Sequence, residues 1–299
     1  MEPRDTGISL VLVTRNRESD LARTLETLKG ALCPCPWEII LVDNASDTDM
    51  SRVCKASGLE NLRFFRTEEN LGPPGGRNFG ASQARYEYLV FYLVFLDDDA
   101  NFIGEDALVR IYDRMNREPD FAIFAFQVRN LEGGLYNWPH GKHRLPRKDN
   151  TFRTKYFIAG GFAIRAAWFW ALGGFSSQLF FWGEETDLVL KSLALGGEGV
   201  FYDGSVAVLH RVQGNGRVKN EDRFYYQVRN RMYILKIRFP AGISLCYRLY
   251  YGLKYLREAV CLGWLGTYRR GLRDSRRIPR KGNCRLTLSR LRAWQKLSK

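Results

Sequence analysis

Three consecutive aspartates, Asp97-Asp98-Asp99, end an apolar run that includes Phe95 and Leu96. Carboxylates packed this closely repel and raise one another's pKa, so the triplet is costly unless a positive charge sits among it. A divalent cation answers that need. Hard carboxylate oxygens suit Mg²⁺ or Mn²⁺, and such an ion can also grip a substrate diphosphate. Mg²⁺ takes about one or two protein carboxylates and fills its shell with phosphate or water, which makes Asp97 and Asp99 the expected ligands. The alternative is a solvated turn whose aspartates cap a helix opening near Gly104. Gly75-Gly76-Arg77 is a second constellation: glycines permit close backbone approach, and the arginine brings charge to an anionic group, unless it is a plain glycine turn with a surface arginine. Glu184, Glu185 and Asp187 form a third, behind the aromatic cluster Phe180-Phe181-Trp182-Gly183. Acids are favourable at a helix N-terminus, but that role leaves the aromatic cluster unexplained.

The elements that must position these groups alternate over the first hundred residues. Ile8–Val13, Glu38–Val42, Leu62–Arg66 and Tyr88–Leu96 are short apolar runs of the kind buried in parallel sheets. Between them, Leu21, Leu25 and Leu28 recur at helical spacing, a polar helix is expected over Asp47–Ser57, and the Gly72–Gly76 segment opens a helix reaching Ala84. This βαβαβαβ order winds into a doubly wound α/β sheet with right-handed crossovers. Ligands of such sheets bind beyond the carboxyl ends of strands, where Thr14, Asp43 and Asp97–Asp99 all fall. Asp43 there could accept a hydrogen bond from a pyrimidine imide or a ribose, or merely cap the next helix. After Asp99 the pattern predicts a helix over Leu108–Met115, strands over Phe121–Val128, Phe157–Ile164 and Gly199–Leu209, and a helix over Glu184–Leu195. Asn130–Asn150 reads as a loop.

Taken in order, these segments resemble the inverting glycosyltransferases of family 2, which have the GT-A fold, over about Ile8–Leu209. Val42-Asp43-Asn44-Ala45-Ser46-Asp47 is similar to the family's turn whose first aspartate meets the donor nucleotide. Asn70-Leu71-Gly72 with Gly75-Gly76-Arg77-Asn78 resembles its nucleotide-side segment, and Phe95–Asp99 its metal motif. The resemblance implies donor contacts from Thr14, Arg15, Asn16, Asp43, Asn70, Gly75, Gly76, Arg77, Asp97 and Asp98. It implies a metal held by Asp97 and Asp99 with His210 near it, although a lone histidine often has an ordinary structural role. Gly160 and Gly161 would line the sugar and acceptor with Trp182 and Asp187. Glu185 stands at the position of the proposed catalytic base; an aspartate is usual there, which leaves Glu184 as a rival. Trp138, His140 and Trp182 could stack on sugar rings or pack in the core.

The chain's 299 residues carry a net charge of +14, and the charge is unevenly placed. From Lys236 to Lys299 there are 17 Lys and Arg against 2 acidic residues, so the rest is nearly neutral. Residues 1–235 are expected to form the catalytic domain, with the nucleotide half over about 1–100 and the acceptor half over about 101–235; residues 236–299 form a basic helical extension. Leu245, Leu249, Leu253, Leu256, Val260 and Trp264 make a helical stripe in that extension. An amphipathic cationic helix suits an anionic membrane surface, so peripheral contact is expected through 240–285; the alternative packs the stripe on the catalytic domain. No nucleic-acid-binding motif accompanies the charge, and nucleic acid is not an expected partner.

The six cysteines show no zinc spacing. The short apolar N-terminal run does not make a signal peptide, and no stretch is long enough to span a bilayer. A cytoplasmic enzyme on the membrane's inner face is therefore expected, taking a UDP- or dTDP-sugar and a saccharide or lipid-linked acceptor, with hexosyl or rhamnosyl transfer implied by the resemblance. Rival readings are a nucleotidyltransferase, which lacks its glycine-rich loop here because Thr14-Arg15-Asn16-Arg17 holds that place, and a non-catalytic carbohydrate- or nucleic-acid-binding scaffold.

Overall fold

Successive side chains of a strand point to opposite faces, and β1 (Thr6–Thr14) divides accordingly. Ile8, Leu10 and Leu12 enter one apolar cluster and Val11 the other. β2 (Trp37–Asp43) repeats the division, with Ile39 and Leu41 on the first side and Ile40 and Val42 on the second. Strands buried on both faces need helices above and below them. α1 (Glu18–Leu28) and α2 (Ser51–Ser57) cover the first face through Leu21, Leu25, Leu28 and Val53. After β3 (Leu62–Arg66), α3 (Gly72–Ser82) covers the second. Its glycines are needed for that contact: a Cβ at Gly80 would stand 2.5 Å from Val11 Cγ1, and one at Gly76 2.6 Å from Val13 Cγ1.

The computed structural model describes residues 6–85, 90–135, 150–211, 220–279 and 284–297. The stacking candidates Trp138 and His140 lie outside these residues. β4 (Val90–Asp97) and β5 (Ala100–Phe102) flank the turn that holds Asp98 and Asp99. Then come α4 (Ala107–Arg117), β6 (Ile123–Arg129), β7 (Thr151–Thr154), β8 (Gly161–Arg165), α5 (Ala166–Ala171), α6 (Glu184–Ala194) and β9 (Val200–His210). One sheet runs in the order β3-β2-β1-β4-β8-β6-β9-β5, with β7 also on β9. The first four strands are parallel; β8 lies antiparallel between β4 and β6, and β6 is parallel to β9. This is the GT-A architecture, an α/β sheet with helices on both faces. Thr14 is level with Asp43, and Val13 with Asp97, so the carboxyl ends of β1, β2 and β4 share one edge.

Several element bounds differ from expectation for local reasons. The helix expected from Asp47 begins at Ser51, because Asp47 is tied back to Asn16 by reciprocal side-chain bonds. The strand expected from Phe157 begins at Gly161, where a turn closes from Gly161 N–H to the Ile158 carbonyl. That leaves Phe157–Gly160 to line a cavity instead of a strand partner.

α7 (Asn220–Arg238) runs across the boundary expected at 235. With α8 (Ala241–Leu262) and α9 (Leu265–Arg277) it builds a separate apolar cluster of Phe224, Val228, Met232, Tyr255, Ala259 and Tyr268. α10 (Leu288–Lys296) returns to the main core through Leu291 and Trp294. The leucine stripe of α8 is left on the surface. Among the described residues, no helix is long and apolar enough to cross a membrane.

Candidate active site

A cavity of about 950 Å³ opens beyond the shared strand edge, within the size range of small-molecule sites. Backbone turns at its rim are locked before any ligand arrives. Asn16, at φ 56°, leaves β1 and exchanges side-chain and backbone bonds with Ser46 and Asp47. Asn44 donates to Asn70 Oδ1 and the Gly72 carbonyl and accepts from Leu71 N–H, which fixes the approach to α3. Gly72 has φ +69°, and a Cβ there would meet the Phe180 carbonyl at 2.2 Å. Only glycine fits this crossing of the two cavity walls.

Asp97 ends β4, and Asp98 and Asp99 occupy the turn that follows it. Asp97 and Asp99 lie on the cavity side with His210: their ligand atoms fall within 4.8 Å of one another, and His210 Nε2 is 2.9 Å from Asp99 and 3.7 Å from Asp97. β9 brings the histidine there by pairing His210 with Ala100 of β5. Asp98 also lines the cavity but is held by the β1 exit, accepting from Thr14 Oγ1 at 2.7 Å and from Arg17 at 3.1 Å, and Arg17 donates to Asp99 as well, at 2.6 Å. Burial pushes the Asp98 carboxyl up to about 7, against the pull of Arg17 and Thr14. Burial acts on Asp99 in the same sense, but its hydrogen bond to His210 and the charges of His210 and Arg17 hold it down at about 2. His210 is raised; burial opposes the shift and the Asp99 hydrogen bond and both aspartate charges outweigh it. Two carboxylates with one imidazole are a donor set that suits a hard or borderline divalent ion such as Mn²⁺, so the residues fit the expected metal.

Across the cavity, Gly183, with φ +91°, stands just before α6. Glu184 is buried and Glu185 half-buried. Arg77, itself buried, reaches from α3 between the two acidic groups, 2.8 Å from Asp97 and 3.7 Å from Glu184. Burial pushes Glu184 up to about 8, with the Glu185 charge adding to the shift and Arg77 opposing it. Glu185 is also raised by burial, against a backbone hydrogen bond and Arg77. Both glutamates are thus poised nearer neutrality than ordinary carboxyls, as a general base requires.

Of the expected donor-side residues, Thr14, Arg15, Asn16, Asn70, Arg77, Asp97 and Asp98 line the cavity. Asp43 is fully buried, bonded by the Ser46 N–H and by Arg66, and holds the β2 exit turn. Gly75 packs on Leu71 and Gly76 on Val13, so their smallness serves helix packing. Gly160 borders the metal-ligand trio, whereas Gly161 packs against Val208 within the sheet. Trp182, at φ +70°, lines the cavity beside Glu184 and Glu185. Asp187 does not reach it: fully buried, it pairs with Arg238 at 2.7 Å and accepts from Ser176. That network clamps α6 to the end of α7.

Sequence reasoning did not select Arg17, Asn44, Tyr156 or Arg223, which also line the cavity. Arg17 and Asn44 sat inside the quoted motifs, while Tyr156 and Arg223 carry no local signal.

A family model described as Glycosyl transferase family 2 matches residues 9–173. The putative polypeptide N-acetylgalactosaminyltransferase 10 of Caenorhabditis briggsae is 30% identical over 174 residues, which are 50% of this chain and 27% of that protein. The structure of GalNAc-T7 with UDP, GalNAc and Mn²⁺ superposes with a TM-score of 0.60 at 19% identity, covering 80% of this chain and 49% of the other. The mannosyltransferase PcManGT from Pyrobaculum calidifontis, in complex with GDP-Man and Mn²⁺, gives 0.59 at 14% identity, covering 97% and 83%. At these identities the two superpositions establish a shared fold.

Proposed function

The chain belongs to glycosyl transferase family 2, and on that premise we propose that it is a metal-dependent, inverting glycosyltransferase. It takes a sugar from a nucleotide diphosphate donor and places it on an acceptor hydroxyl. The observation that carries this reading is the facing of two groups across one cavity, the Asp97-Asp99-His210 trio and the Glu184-Glu185 pair, with Arg77 between them. Solved neighbours that hold UDP or GDP-Man with Mn²⁺ support a nucleotide-sugar donor and a divalent ion.

Mg²⁺ or Mn²⁺ at Asp97, Asp99 and His210 would supply positive charge against the diphosphate as it departs. Arg77 adds fixed charge beside it. The Asn16, Asn44 and Asn70 turns shape the nucleotide side. On the far side Glu185, the less buried of the two glutamates, takes the acceptor proton. The acceptor oxygen then bonds to the anomeric carbon, the bond to the diphosphate oxygen breaks, and the nucleoside diphosphate leaves with the electron pair. Attack opposite the leaving group inverts the centre. Glu184, held near Arg77 at 3.7 Å, tunes that arginine and is the weaker candidate for base.

We place the enzyme on the cytoplasmic face of a membrane, in contact through residues 240–285, adding a hexose or rhamnose to a saccharide or lipid-linked acceptor in cell-surface polysaccharide or glycolipid synthesis. UDP-, dTDP- and GDP-sugars screened with Mn²⁺, Mg²⁺ or EDTA test the reaction. One donor should turn over only with metal, and Glu185→Gln should lower its rate by about 10²–10⁴-fold without weakening nucleotide binding. A Glu185→Gln rate equal to wild type would remove Glu185 as base. Failure to bind any of the three nucleoside diphosphates with metal would overturn the transferase reading.

A further inference from the structure

The surface of α8 carries an apolar strip on which nothing packs among the described residues. Leu245, Leu249, Leu253, Leu256 and Val260 are 55, 61, 69, 37 and 60% exposed. At about 100° per residue they fall within a strip about 80° wide, on the side away from Ser244, Tyr255 and Ala259, which are buried against the neighbouring helices. Exposed Arg257 borders the strip and exposed Lys254 lies further round the helix, with one acid, Glu258, on the same helix. Five arginines of α9, Arg269, Arg270, Arg273, Arg276 and Arg277, are also exposed, and Asp274 is their one acidic neighbour on that helix. A contiguous apolar face on a soluble surface marks an interaction site.

We propose that this face of α8 seats the enzyme on an anionic lipid bilayer, the leucines entering the acyl boundary and the lysine and arginines meeting lipid phosphates. The proposal rests on the membrane contact given above and names its surface and its lipid class. Charge complementarity selects the occupant. The region from Lys236 onward holds 17 basic against 2 acidic residues, so a second copy docking through the same face would bring like charges together. An anionic leaflet attracts them. Lying in the interface, and not crossing it, agrees with the absence of a spanning helix among the described residues.

The inner side of the same helix reaches the active-site rim. The Arg231 guanidinium lies 5.0 Å from the Tyr251 ring of α8 and 4.9 Å from the Trp182 ring. Asn230 donates to the carbonyls of both Phe181 and Trp182 at 2.7 Å. The docked helix therefore belongs to the same packed unit as the turn that carries Glu184 and Glu185.

Flotation of the full chain with phosphatidylcholine vesicles, with and without phosphatidylglycerol, tests the proposal and needs neither donor nor metal. A negative result thus leaves the transferase reading standing. The wild type should float only with the anionic vesicles. Leu249→Ser/Leu253→Ser and, separately, Lys254→Gln/Arg257→Gln should each lower the bound fraction by about tenfold. All should hydrolyse soluble donor at the wild-type rate. Flotation of the leucine variant at the wild-type level, or wild-type binding indifferent to phosphatidylglycerol, would overturn the proposal. A wild-type dimer in gel filtration that the leucine substitutions dissolve would assign the strip to a second copy instead.

Discussion

Replacing Glu184 with glutamine removes one ionisable group from a buried acidic pair, and its effect on stability can be worked from the structure. The side chain opens α6 at 6% exposure. Burial first, and then the charge of Glu185, push its carboxyl from 4.5 up to about 8, against Arg77. Between those two values the native state keeps a proton that the unfolded chain has released. Stability from this source is therefore complete below the unfolded pKa and falls as pH rises through the native one. At about 1.4 kcal/mol per pH unit, the interval between 4.5 and about 8 gives a ceiling of about 5 kcal/mol. That is a large share of the roughly 5–15 kcal/mol that holds a domain folded. Glu184 and Glu185 titrate together, so the loss belongs to the pair.

The assay is urea unfolding of wild type and Glu184→Gln in buffers from about pH 5 to about pH 9, without metal or nucleotide. The wild type should lose several kcal/mol across that range. The variant should show a shallower fall, by up to ~1.4 kcal/mol per pH unit, and should be the more stable protein at the alkaline end. Parallel curves for the two proteins would refute the reasoning, because they would mean that Glu184 ionises in the native state as it does in water.

Asp187→Ala should destabilise by about 3–5 kcal/mol, since it strands the buried Arg238 guanidinium; in urea unfolding, Asp187→Leu/Arg238→Met should recover much of the loss. Asn230→Ala removes the donor to two carbonyls under the catalytic turn and should cost about 1–3 kcal/mol. It should also lower kcat more than the donor KM, read from steady-state kinetics. Gly72→Ala forces a side chain into φ +69° and against the Phe180 carbonyl, so nucleotide affinity measured by calorimetry should fall while the far-UV spectrum is preserved.

Much of the fold was legible because strand alternation and helix period are local properties. The β1 run could be read from Ile8–Val13, and its two burial faces follow from a period of two. The Asp97–Asp99 triplet announced itself by its own electrostatic cost. Legibility stopped where a role depends on which way a side chain turns. Asp43 stands at a strand end, as expected, but Arg66 and the Ser46 N–H occupy its oxygens. Asp187 sits in the acidic run, yet its helical position faces Arg238 instead of the cavity. The stripe of α8 was visible in the spacing; that it stays on the surface depended on which face of α8 the α7 and α9 helices cover.

The sequence alone determined the βα alternation, the polar groups at the ends of β1, β2 and β4, and the basic character of the last sixty or so residues. Those features rest on composition and short-range periodicity, which need no knowledge of the rest of the chain. Only the tertiary structure decided that His210 meets Asp99, 111 positions earlier, because β9 pairs with β5 across the sheet. It alone decided that Asp98 is taken up by Thr14 and Arg17 while its two neighbours gather with His210. Contacts of that kind are set by strand pairing and by the turn between β4 and β5, which close over distances that no local pattern records.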